Sequence, residues 1–315
     1  MTIHAADADS IAAAAQHLRA GELVAFPTET VYGLGADATN AAAIAKIYAL
    51  KKRPAFNPLI VHIAAFDWLE TLATTDDRAV ILAKVFWPGP LTLVLPRSKT
   101  CAASKLVSPN LETIAVRQPN HPIATHLLNA VERPLAAPSA NLSGHVSPTL
   151  AAHVEADFGA ALDLILDGGP CQTGLESTVL DLSTATACLL RPGAISAAEI
   201  TAHIGPIGTS DAITTAEDLK SPGQLEKHYA PSVPVRLEAD AAKAGEALIG
   251  FGSTANADIN LSPVGDLTEA AANLFHALRN LDDPKRFSGI AVAPIPKVGI
   301  GIAINDRLRR AALGR

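Results

Sequence analysis

The stretch LVAFPTETVYGLGADATNAAAIAKIYALKKRPAFNPLIVH, Leu23 to His62, decides how the rest of the chain is read. It opens on a short apolar run, Leu23 to Phe26, of the kind a buried strand needs. Pro27 breaks that run into a polar turn, Thr28-Glu29-Thr30. Gly33 and Gly35 follow; without a Cβ they let the backbone pass close to another group. The next segment predicts a helix with Thr39 or Asn40 as N-cap and Ala43, Ile44, Ile47 and Leu50 as its apolar stripe. It ends in three cations, Lys51-Lys52-Arg53, stopped by Pro54, and a second apolar run, Leu59 to Ile63, carries His62. Cations in a last helical turn complement the helix dipole. The same cluster also suits a phosphate-bearing ligand, with Arg53 as a planar fork and Lys51 as a point charge. No Walker A or dinucleotide fingerprint accompanies it; the GxG pairs at Gly33–Gly35 and Gly299–Gly301 stand alone and carry no assignment.

At 315 residues the chain can bury a sizeable core and predicts two domains. Its 49% hydrophobic and 18% charged residues are a soluble globular composition. The net charge of −6 argues against nucleic-acid binding through a broad basic surface and leaves room for a local basic groove. Cys101, Cys171 and Cys188 are odd in number and lack CxxC spacing, which predicts reduced thiols in a cytoplasm. Cys171, with no histidine partner evident, reads as structural. The start carries Asp7 and Asp9 and no cationic leader, and no apolar run reaches membrane-spanning length, so no membrane is expected.

In chain order, Ala6–Ala20 predicts an amphipathic helix capped by Asp7 or Asp9. Helices are expected at 66–72 and 76–86, then strands at 91–95 and 111–117. The period of two puts Thr113 and Arg117 on one strand face. A helix over 122–131 and a strand over 134–138 run into Ser139-Ala140-Asn141-Leu142-Ser143-Gly144. That turn is either a ligand-binding loop at a strand end or an ordinary loop with local Asn and Ser bonds. A helix at 150–158, strands at 162–166, 179–182 and 189–193, and a helix at 197–204 complete this part. Several strand pairs lack a helix between them, which favours a mixed sheet. Residues 206–234 read as a Pro/Gly-rich segment holding Ser221-Pro222-Gly223-Gln224 and His228-Tyr229-Ala230-Pro231, a candidate lid. Strands near 235–237, 247–251 and 290–294, with helices at 268–281 and 303–313, give a small second α/β domain.

Taken together, PTETVYGLG (27–35), KKRPAFNPL (51–59), WPGPLTLVL (87–95), SANLSG (139–144), GLESTVLD (174–181), LRPG (190–193), HYAP (228–231) and GIAINDRLRRAA (301–312) resemble the YrdC-like family in its long two-domain form. The match covers essentially the whole chain. The resemblance implies an α/β (α+β) fold, a YrdC-like twisted mixed sheet flanked by helices plus a smaller C-terminal Rossmann-like α/β domain. Its parts are a catalytic domain over 1–205, a linker or lid over 206–234, and the small domain over 235–315. It implies condensation of L-threonine, bicarbonate and ATP into threonylcarbamoyl-AMP and pyrophosphate, with Mg²⁺ carried on the ATP phosphates. Downstream tRNA threonylcarbamoyl-transfer proteins would then use the product.

By the same resemblance, the Lys-x-Arg and Ser-x-Asn tetrad falls on Lys51, Arg53, Ser139 and Asn141, holding phosphates. Asn57, Thr113, Ser147, Arg191 and Tyr229 are implied at the nucleotide, and Thr30, His62, Arg117 and Ser177 at threonine. The usual glycine between Lys and Arg is here Lys52. Read without the family, His62 is a satisfied core histidine, Arg117 a surface ion pair and Ser177 a turn residue. Arg307, Arg309 and Arg310 read as a solvated helix face, or else as a weak tRNA contact. Two other functions fit parts of the pattern: a non-catalytic RNA-binding module, against which the acidic charge weighs, and a carbamoyl-transfer enzyme, whose extra zinc-finger cysteines are absent.

Overall fold

The computed structural model describes residues 2–209 and 228–314. In the first part eleven strands form one sheet: β1 (Ile3–Ala5), β2 (Val24–Phe26), β3 (Gly33–Asp37), β4 (Ile60–His62), β5 (Leu91–Pro96), β6 (Thr113–Arg117), β7 (Leu135–Ala136), β8 (Leu164–Asp167), β9 (Thr178–Asp181), β10 (Cys188–Arg191) and β11 (Gly208–Thr209). The spatial order is β1-β8-β2-β3-β7-β4-β6-β5-β9-β10-β11. Five neighbouring pairs run parallel and five antiparallel, so the sheet is mixed, as the missing crossover helices predict.

Six helices cover this sheet: α1 (Ala8–Arg19), α2 (Ala41–Lys51), α3 (Asp77–Phe86), α4 (Pro122–Val131), α5 (Ala151–Phe158) and α6 (Ala197–Ile204). Their starts follow the capping residues. Asp7, Asn40, Asp76 and Ser196 each accept from first-turn backbone N–H groups, and Asn40 rather than Thr39 caps α2. On α2, Ala43, Ile44 and Ile47 are buried as expected, while Leu50 is only partly covered. Residues 66–71 wind as a 3₁₀ helix instead of an α-helix.

The second part is a four-stranded, wholly parallel sheet, β12 (Val235–Arg236), β13 (Glu246–Gly250), β14 (Ile259–Asn260) and β15 (Gly289–Val292), in the order β12-β15-β13-β14. Helices α7 (Leu267–Leu281) and α8 (Gly301–Ala312) pack on it. Leu274, Phe275 and Leu278 lie wholly inside, each worth about 1.5–3 kcal/mol of burial. Gly208 and Thr209, expected in the linker, instead pair in parallel with Cys188 and Leu189, because an edge strand there satisfies backbone groups of β10. Of the expected lid, His228 onward is described, and Ser221–Gln224 lies outside the described residues.

The two parts share one apolar cluster: Val31, Val146 and Leu175 of the first pack with Tyr229, Leu274 and Phe275. Polar contacts reinforce that seam. Arg279 of α7 pairs with Asp157 at 2.7 Å and donates to the Val146 carbonyl, and His276 stacks on His153 with centroids 5.4 Å apart. At Gly174, with φ +70°, a Cβ would sit 2.4 Å from the Ala272 Cα. Backbone of the first part therefore rests directly on α7. Gly174→Ala is expected to cost about 2–4 kcal/mol through overpacking and a left-handed backbone. Urea unfolding that shows no loss relative to the parent would refute this close docking.

Candidate active site

The parallel pair β4–β6 sets His62 opposite Arg117 in register, so both side chains leave the same sheet face side by side. On that face Ile60, Val94, Ala115 and Val179 form a thin apolar layer, while Val61 and Val116 turn into the main core. Above the layer lies a pocket open to solvent. Its wall brings together eight of the thirteen expected residues: Thr30, Arg53, His62, Arg117, Ser139, Ser177, Arg191 and Tyr229. They come from strand ends and loops separated by up to 199 positions in sequence (229 − 30) and meet because the sheet order interleaves distant strands.

One corner is built around Arg117, which is buried. Its Nε donates to the Gly89 carbonyl at 3.1 Å and its Nη1 to Thr30 Oγ1 at 2.8 Å. Its Nη2 stands 2.6 Å from Glu29 Oε1, in an ion pair shielded on both sides. The surface ion pair that Arg117 suggested is thus a buried one with a partner 88 positions away (117 − 29). His62 is buried, burial pushes its pKa down to about 3, and its Nδ1 has no hydrogen-bond partner among the described residues. A neutral ring with an open nitrogen on a pocket wall differs from the satisfied core histidine that the residue alone suggested. Ser177 Oγ lies 2.7 Å from Thr92 Oγ1, and Arg191 donates to the Ser177 carbonyl and hydroxyl at 3.0 and 3.1 Å.

The opposite wall is cationic. Arg53 is buried and holds three acceptors, Asn57 O, Asn57 Oδ1 and Pro58 O, through Nε and Nη2 at 2.6–3.1 Å. Burial lowers its pKa to about 10, which leaves it charged at neutral pH. Four expected residues stand behind the wall as supports. Asn57 aims Arg53. Lys51 donates to the Ser139 carbonyl at 2.6 Å and to the Asn141 carbonyl, so the helix-end cation pins the 139–141 turn. Asn141 donates to the Leu142 and His145 carbonyls, and its buried Oδ1 has no partner among the described residues. Ser147 donates to Glu176 Oε1 at 2.5 Å. Thr113, at the far end of β6, lies outside the pocket wall, although it shares the strand face of Arg117.

Thr28, Glu29 and Glu176 were not singled out from the sequence, although the quoted PTETVYGLG and GLESTVLD motifs contain them; His228, read only as part of a candidate lid, lies in the pocket wall. Tyr229 lines the pocket with φ +63°, stacked 5.5 Å from Phe275, and its buried hydroxyl has no partner among the described residues. Its neighbour His228 is buried, with a pKa pushed down to about 3 by burial. The expected solvated arginine face on α8 is wrong. Arg307 is wholly buried and Arg310 nearly so, because Asp306 and Glu176 supply their counter-charges. Only Arg309 of the three is exposed, which removes the basic patch a tRNA contact there needs. Cys171 is buried and burial pushes its thiol up to about 12, consistent with its structural reading.

Against known proteins, a family model described as "Telomere recombination" matches residues 16–193, and one described as "Threonylcarbamoyl-AMP synthase, C-terminal domain" matches residues 195–313. A protein of Pyrococcus abyssi named threonylcarbamoyl-AMP synthase is 44% identical over 95% of this chain and 93% of its own length. One of Bacillus subtilis with the same name is 42% identical over 97% of this chain and 93% of its own. The crystal structure of P. abyssi Sua5 complexed with L-threonine superposes with a TM-score of 0.88 at 42% identity, covering 96% of this chain and 94% of that one. Both halves of the sequence and the two-part fold agree, and the chain belongs to the Sua5 form of the YrdC-like family, the threonylcarbamoyl-AMP synthases.

Proposed function

We propose that this chain joins L-threonine, bicarbonate and ATP into threonylcarbamoyl-AMP and pyrophosphate. The observation carrying this is one pocket with two chemically distinct walls. A guanidinium–hydroxyl–imidazole corner, Arg117, Thr30, Ser177 and His62, faces the cationic wall of Arg53 and Arg191 with the Ser139–Asn141 turn. The first suits a hydroxylated amino acid: Arg117 pairs its carboxylate, and the neutral His62 and the hydroxyls receive its polar groups. The second suits a triphosphate, which Arg53 grips through its fork.

In the reaction an oxygen of the threonine carbamate forms a bond to the α-phosphorus, and the bond from that phosphorus to the bridging oxygen breaks to release pyrophosphate. No side chain needs to become a nucleophile. The chain's part is to hold the carbamate in line, to offset charge growing on pyrophosphate with Arg53, and to keep water out beneath Tyr229. Mg²⁺ bound with the phosphates would supply further charge neutralisation. Asn141, whose buried Oδ1 has no partner among the described residues, is the residue whose hard oxygen would suit it. The mixed anhydride product then suits transfer of its acyl group by a tRNA-modifying partner.

Pyrophosphate release from ATP and Mg²⁺, with threonine and bicarbonate each withheld in turn, tests this reading. Release that requires both supports it. Release indifferent to threonine sinks it.

A further inference from the structure

Glu176 is a buried carboxylate in the wall of a pocket that otherwise collects arginines. Unopposed, it would repel a polyphosphate. Burial alone would raise its carboxyl, yet Arg307 and Arg191 outweigh that and hold it below the usual carboxylate range. Arg307 makes the direct contact. Its Nε donates to Glu176 Oε2 at 2.9 Å, while Ser147 occupies the other carboxylate oxygen. Its Nη1 donates to the Pro192 carbonyl at 2.9 Å and to Asp306 Oδ2 at 2.8 Å, and its Cζ lies 5.4 Å from the Tyr229 ring centroid. Arg307 belongs to α8, the last helix of the second domain, whereas Glu176 and Pro192 adjoin Ser177 and Arg191 of the first.

We propose that Arg307 is a positioning residue that the C-terminal domain supplies to the nucleotide pocket, where it masks the Glu176 carboxylate and braces the segments bearing Ser177, Arg191 and Tyr229. The inference rests on the reading of the pocket as an ATP site. It gives the second domain an electrostatic part in that site, since without α8 the Glu176 carboxylate would lose its direct cationic partner and keep only Ser147 and the nearby Arg191.

Titration calorimetry of ATP with Mg²⁺, threonine and bicarbonate withheld, tests this in four full-length proteins. Arg307→Gln exposes the Glu176 charge and is expected to weaken ATP binding about tenfold or more. Glu176→Gln alone removes the charge that Arg307 masks while Asp306 still pairs Arg307, and its affinity is the reference against which the double variant is read. The decisive protein is the double variant Arg307→Gln/Glu176→Gln, expected to recover at least about fivefold of the lost affinity. A purely structural arginine predicts no such rescue, so a double variant as weak as Arg307→Gln overturns the proposal. If Arg307→Gln does not fold, Arg307→Lys replaces it: retention of affinity within about threefold supports charge masking, and a tenfold loss overturns it. A parent protein that binds no ATP defeats the reading of the pocket and this inference with it; a binding parent without rescue defeats this inference alone.

Discussion

Replacing Arg53 with alanine is expected to lower threonine-dependent pyrophosphate release by about 10³-fold or more while leaving the fold in place. The geometry gives the reason. Nε and Nη2 of Arg53 are already committed to the Asn57 and Pro58 acceptors, so the guanidinium plane is fixed before any ligand arrives. Nη1 meets no protein acceptor among the described residues, and the side chain lines the pocket. A preorganised cation of this kind costs little reorganisation when charge builds on the leaving pyrophosphate. Arg53→Lys tests the same point more finely. An ammonium cannot hold three acceptors and still present a planar pair of donors, so a loss of about 10²-fold is expected even though the charge is kept. Stability should fall by only about 1–3 kcal/mol in Arg53→Ala, from the acceptors left behind. Activity within tenfold of the parent in Arg53→Ala, with turnover measured at saturating ATP, would remove Arg53 from the mechanism.

Much of this arrangement was legible in the chain, for identifiable reasons. Helix starts followed from side-chain caps, because Asp7, Asn40, Asp76 and Ser196 act on their own neighbours. The placing of Arg117 beside His62 was half-legible: each sat in an apolar run, but only the sheet order makes β4 and β6 parallel neighbours. The Arg117–Glu29 pair was invisible, since nothing local links residues 88 positions apart (117 − 29). Gly33 and Gly35 were read only as allowing a close backbone approach, and residues 33–37 form β3. A Cβ on Gly35 would fall 2.8 Å from the Phe26 ring, so close packing of two strands overrides the poor strand propensity of glycine. Arg307 was misread because its charge was given more weight than its position. Ile304, Arg307, Leu308 and Ala311 follow the i, i+3, i+4, i+7 spacing of a buried stripe, and that spacing was the better guide. The lesson is specific: an arginine on an apolar stripe calls for a buried carboxylate, and Glu176 of the GLEST motif was available.

Acid is expected to unfold this protein steeply in the absence of nucleotide, and His62 and His228 set the window, with His153, which burial also lowers to about 3, adding a loss of the same sign. Both are buried at the pocket, and burial lowers each pKa to about 3, against about 6.5 in an unfolded chain. Above pH 6.5 both states hold the rings neutral and these groups make stability independent of pH. Between about 6.5 and 3 the unfolded chain binds protons that the folded one refuses, so stability falls as pH falls. Below about 3 both states are protonated and the loss levels off. From pH 7.5 to 4.5 each histidine should cost about 2–3 kcal/mol, together a large share of the stability of an ordinary domain. Glu176, held below its usual range, adds a further loss in the same direction at the acid end. Urea unfolding at pH 7.5, 5.5 and 4.5 checks this, with His62→Gln and His228→Gln as partners. Each variant should flatten the pH dependence by about one proton in the middle of the window, whatever it does to stability at pH 7.5. A pH dependence unchanged in both variants would show that these rings accept protons in the folded pocket. Binding of the amino-acid substrate would then have to involve an imidazolium at His62, and the division of the pocket into a neutral corner and a cationic wall would fail with it.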